Sequence, residues 1–90
     1  MNIGIQYFAE SDIKKQESTS LKRAMRKYSE RIAEHQRKID NPQEYVPDWE
    51  SKDVREQNGL IKHWQKEIRN FQQSIDDRIE ELKKRGDYDE

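Results

Sequence analysis

Apolar residues are sparse along this chain, but their spacing is regular. Leu21, Met25, Tyr28, Ile32, His35 and Ile39 recur at alternating steps of four and three, which is the seam of a heptad-patterned helix. The run Ser18-Thr19-Ser20 reads as its start, because a hydroxyl there can accept an N–H that the first turn leaves free. Pro42 marks its end, having no N–H to give and disfavouring helical geometry in the residue before it. The pattern therefore predicts a first helix over 18–40.

A second seam runs through Val54, Ile61, Trp64, Ile68, Phe71, Ile75 and Leu82, with Gln57 and Arg78 as polar members. Asp53 and Glu56 have the spacing of a capping box, and Lys83, Lys84 and Arg85 followed by Gly86 make a strong ending at the negative end of the helix dipole. This predicts a second helix over 53–85. Asn58-Gly59 is its weak point, where it kinks or from which it starts. Between the helices, 41–52 reads as a loop with two prolines, bearing Tyr45, Val46 and Trp49; a tryptophan in such a loop usually folds back over the end of a core. The acidic tail 86–90 is expected to fray.

Two helices and a short connection predict an all-α fold, an antiparallel two-helix hairpin of coiled-coil type forming a single small domain over 1–90. Pairing the seams about the loop sets Leu21 by Leu82, Tyr28 by Ile75, Ile32 by Phe71 and Ile39 by Trp64, with His35 opposite Ile68 and beside Trp64. The remaining segment, 1–17, is an N-terminal arm, extended or helical. Its opening "IGIQYFAE" gathers Ile3, Ile5, Tyr7 and Phe8, whose alternation favours an extended form, and "ESDIKKQE" allows one helical turn capped by Ser11 or Asp12. A hairpin has only one seam, so the arm either covers the helices or docks on a partner.

Composition sharpens this picture. Charged residues make up 41% of the chain and hydrophobic ones 30%, so the core must be thin. The near-neutral balance, −1, and the strict apolar spacing argue against disorder. The chain has no cysteine, hence no disulfide or thiolate metal site, and shows no membrane span or signal peptide. Charge is unevenly spread: Lys14 to Lys38 holds nine cations against three carboxylates, a net of +6, while loop and tail are acidic. Such a rod suits an acidic protein surface or nucleic-acid phosphates.

Little in the sequence carries catalytic chemistry. His63 and Glu67 lie one helical turn apart, but they lack the further ligands a metal needs, and His35 reads as a packed seam residue. The carboxylates interleave with lysine and arginine, as in "DDRIEELKKR", at the spacing of ordinary surface pairs. Gly4, Gly59 and Gly86 are isolated and form no phosphate loop, and no nucleophile sits in a recognisable setting. The expectation is a non-enzymatic protein with no cofactor and no metal.

Three stretches, "GIQYFAESDIKKQ", "NPQEYVPDWES" and "GLIKHWQKEIRNFQQSIDDRIEELKKRG", together resemble the charged helical segment at the C-terminal end of phage minor capsid (head) proteins, from viruses and prophages of Gram-positive bacteria. The "YVPDW" loop and "HWQKEI" helix are the distinctive parts. The resemblance implies no catalytic residue. It implies a phage-encoded module that binds another protein, in the virion or in the host bacterial cytoplasm. The chain opens on its own methionine with no capsid domain before it, so a free-standing small phage protein is the expectation.

Three functional expectations follow in order. The first is a protein–protein interaction module, binding a phage structural protein or a host factor. The second is an inhibitor of a host defence nuclease, anti-CRISPR-like, whose acidic loop and tail imitate phosphate. The third is nucleic-acid binding through the basic first helix. The residues expected at a partner surface are Tyr7, Phe8, Arg23, Arg26, Lys27, Tyr45 and Trp49. A homodimer is a further expectation, since the outer helical faces are unsupported.

Overall fold

The computed structural model describes residues 13–88, and among these the protein is all-α with no strand. Helix α1 spans Ser18–Asp40, a short helix α2 spans Pro42–Tyr45, a 3-10 turn covers Trp49–Ser51, and α3 spans Val54–Arg85. Helices α1 and α3 pack along one another. At 1.5 Å per residue the 32 residues of α3 are about 48 Å long. That matches the longest dimension of a body measuring 50 × 34 × 15 Å, whose thin axis is that of one layer of helices. Among the described residues, no helix is long and apolar enough to cross a membrane.

The ends of α3 follow its sequence signals. Asp53, in extended conformation, accepts the N–H of Glu56 at 2.9 Å. At the other end Gly86 adopts a left-handed φ of 77° and its N–H reaches the carbonyl of Lys83, while Asp87 N–H reaches Leu82 at 2.9 Å. These two bonds form a Schellman ending, which satisfies carbonyls that the last turn would otherwise leave free. The helix does not start at Gly59. It continues through this position, because nothing crowds the exposed glycine and one glycine costs only about 1 kcal/mol against the packing of a long helix.

Several expectations are corrected. Helix α1 begins at Ser18 as expected, but Ser18-Thr19-Ser20 lie inside its first turn and none holds the cap position. The residue before them, Glu17, makes no side-chain cap, and the Ser18 hydroxyl is instead donated to Asp87 Oδ2 at 2.5 Å. The segment 41–52 is partly helical: Pro42 ends α1 but also occupies the first turn of α2, where its fixed φ suits a helix and its missing N–H leaves no bond unmade. Val54, expected on the seam, is 68% exposed, because α3 is nine residues longer than the 23-residue α1 and its first turn has no helix opposite. The tail does not fray through Tyr88, which packs half-buried on a core cluster with the Lys83 ammonium 5.4 Å from its ring centre.

The core is thin and divided. At one end Ile13, Leu21 and Leu82 are buried together, flanked by Met25 and Tyr88; Leu21 and Leu82 are fully enclosed. Further along, Tyr28 sits between Phe71, stacked at 5.9 Å, and the Arg78 guanidinium, 5.0 Å above its ring. His35 then meets Phe71 edge-on at 5.3 Å and Glu67 at 3.2 Å. Contacts thus descend α3 as they climb α1: Leu21 and Leu82 share a cluster as expected, whereas Tyr28 stacks on Phe71, the residue expected opposite Ile32. His35 touches Phe71 and Glu67, and Trp64 is covered by Trp49 of the connection. Arg78 Nε is a buried donor without an acceptor among the described residues, a cost set against the cation–π contact.

Candidate partner-binding surfaces

The cationic strip is built by helical spacing alone. Arg23, Arg26 and Lys27 fall three and four residues apart on α1, so they share a face, and all three are exposed. Among the described residues no carboxylate pairs with any of them. Elsewhere cations are engaged: Lys38 with Glu34 at 3.9 Å, Lys52 with Asp48 and Glu56 at 3.4 and 3.6 Å, and Arg85 with Glu81 at 2.8 Å. The strip is thus a local excess of positive charge. Its field reaches about 8 Å at physiological salt.

The connection carries the aromatic pair expected at a partner surface, and the structure separates its members. The 3-10 turn, with the Ser51 hydroxyl donating to Asp48 O at 2.9 Å, aims Trp49 back at α3. There its ring stacks on the buried Trp64, 6.2 Å between centres and 23° between planes. Gln57 Nε2 donates to Trp49 O at 2.8 Å and fixes the turn to the helix. Trp49 is half-buried and closes this end of the layer. Tyr45, one short helix earlier, is 42% exposed. Tyr7 and Phe8 lie outside the described residues.

A polar chain joins the two helices. His35, 5% exposed, approaches the Arg31 carbonyl through Nδ1 at 2.8 Å and Glu67 Oε2 through Nε2 at 3.2 Å. The other oxygen of Glu67 takes His63 Nε2 at 2.7 Å. One carboxylate therefore spans a buried and an exposed imidazole, and each contact is an ion pair only while the ring is doubly protonated. Glu67 stands between the imidazoles and uses both its oxygens on them. Among the described residues no three His, Cys, Asp or Glu side chains form a group able to hold a metal ion.

At the opposite end from Trp49, Arg85 is a hub that the sequence did not disclose. Its Nη2 donates to the carbonyls of Ile13 and Lys14, both at 3.0 Å, and Nη1 reaches Ser18 Oγ at 3.3 Å. In sequence it reads only as a cation complementing the dipole; nothing there signals a partner some 70 residues away. Glu67 was more accessible, since the register sets His35 opposite its neighbour Ile68. Among the described residues, shallow depressions open to solvent. One is lined by Gln36, Ile39, Gln65, Ile68 and Arg69, another by Ile13 and Lys14 with the last turns of α3.

No family model, no curated protein and no solved structure matches the chain. The surfaces themselves carry the functional argument.

Proposed function

We propose that this chain is an antiparallel two-helix hairpin that works as a protein-binding module, without catalysis, and that it is a small phage protein acting in the virion or the host bacterial cytoplasm. The observation that carries the binding reading is the cationic strip of Arg23, Arg26 and Lys27, left without carboxylate partners among the described residues, on a layer too thin to enclose a cleft. A partner of matching chemistry presents an acidic surface. Tyr45 supplies an exposed aromatic beside the Trp49 closure, and Tyr7 and Phe8 extend the surface in the sequence reading. The phage assignment rests on the resemblance of the loop and second helix.

Nucleic acid is the second reading, since the same strip suits phosphates. The inhibitor reading has less support from geometry: Asp48 of the loop pairs with Lys52, Asp87 of the tail accepts from Ser18, and Asp53, where the loop meets α3, caps that helix. Titration with duplex and single-stranded DNA at about 150 mM salt separates the first two readings, with binding expected no tighter than about 0.1 mM. Sub-micromolar binding lost on charge reversal of Arg23, Arg26 and Lys27 would put nucleic acid first. Capture from infected cells, set against purified capsids as bait, then distinguishes host factor from virion.

A further inference from the structure

One side of the two-helix layer is aliphatic. Ile32 and Ile39 lie seven residues apart on α1, and Ile61, Ile68 and Ile79 follow α3 at intervals of seven and eleven, which return a side chain to nearly the same face. All five are half-buried. The depression lined by Gln36 and Ile39 from α1 with Gln65, Ile68 and Arg69 from α3 places both sets on one side. Helical spacing turns Arg78 and Glu67 toward the other side.

We propose that this isoleucine face binds a second copy of the chain, the two layers stacking about a two-fold axis parallel to the helices into a four-helix body. The argument for a second copy is charge complementarity. Such an axis lays α1 of one copy over α3 of the other at the same level, and the level is fixed by Leu21 with Leu82 and by Tyr28 between Phe71 and Arg78. Arg26 then faces Asp76 and Glu80 of the second copy, and Asp40 faces Lys62. Each of these is exposed, and none has an ion partner among the described residues. Glutamines Gln36, Gln65 and Gln72 occupy the rim between them, so no long stretch of like charge is opposed. The symmetry makes every pair twice, and the isoleucines of both copies meet at the centre, the pattern of an isologous interface. The proposal needs the hairpin register but not the partner reading: it takes Arg26 from the cationic strip and leaves Arg23 and Lys27 on the outer edge of the assembly.

Sedimentation over roughly a hundredfold range of concentration tests it, since mass action must shift the population. The full chain is expected to move from its 11.0 kDa monomer toward twice that mass. Arg26→Glu should weaken association about tenfold, as reversal of two reciprocal exposed pairs implies. Adding Glu80→Arg in the same chain should restore it. Ile79→Ser, at a half-buried site, should abolish the dimer while the far-ultraviolet helical signal persists. A single monomeric species at every concentration would overturn the proposal, as would a dimer indifferent to Arg26→Glu or an assembly that closes as a trimer.

Discussion

Gly59, within α3, and Gly86, just past its end, give the sharpest test of the backbone, because one chemical change should act with opposite sign at each. Gly59 lies inside the helix, exposed, and a Cβ built there meets nothing within 4 Å. Alanine therefore gains the full difference in helix propensity, about 0.8–1.0 kcal/mol. For a chain of this length each kcal/mol moves the melting midpoint by about 4–8 °C, so Gly59→Ala should raise Tm by roughly that amount. A Cβ at Gly86 is equally unobstructed, but its φ of 77° is left-handed. There alanine meets a backbone penalty of about 1–2 kcal/mol, partly offset by about 0.4–1 kcal/mol from a less flexible unfolded chain. Gly86→Ala should lower Tm by a few degrees. Thermal unfolding at 222 nm, at one fixed protein concentration, reads both. A Gly59→Ala protein that melts lower would show that helix or surroundings at this position are not as described, and a Gly86→Ala protein that melts higher would refute the Schellman ending.

Leu82→Ala, at a fully buried site, should cost about 2–5 kcal/mol in urea unfolding, whereas Val54→Ala, at a site 68% exposed, should stay within about half a kcal/mol. Trp49→Ala removes the stack on Trp64 and should shift the remaining tryptophan emission to the red, with a stability loss of about 1–2 kcal/mol; unchanged emission would mean the ring does not cover its neighbour. Arg85→Met should speed amide exchange over 13–20 more than at the middle of α1, because the arginine's bonds to Ile13, Lys14 and Ser18 are lost; uniform protection would contradict the clasp.

Much of this architecture was legible because heptad spacing is local and redundant. Six seam positions in α1 agree with one another, Asp53–Glu56 and Gly86 mark the ends of α3, and pairing the seams about the connection brings Leu21 to Leu82. What escaped depended on contacts that spacing does not encode. Ser18 looked like a cap, yet its hydroxyl meets Asp87 across the molecule, and a cap signal cannot say which acceptor wins. Val54 fitted the period but lies where α1 has already ended, since periodicity marks a face without marking what stands opposite. Pro42 was read for the helix it ends rather than the one it opens. Of the surface residues, the α1 strip and Trp49 could be foreseen by type, but only the geometry divides Trp49, turned inward, from Tyr45, left open.

The clasp at Arg85 also bears on how the chain closes. Contacts between the helices grow steadily in sequence separation away from the connection, from Trp49 on Trp64 to Ser18 on Asp87, 69 residues apart. Closing a loop costs more as it lengthens, but once the short loop is shut each further contact encloses only a few more residues. Assembly by that rule runs as a zipper from the tryptophans outward, and rupture begins at the far end. The groups placed there are those that resist peeling: two fully enclosed leucines and an arginine that holds two backbone carbonyls as well as side chains. A molecule with so slight an interior thus keeps its firmest fastening where the two helices would first come apart.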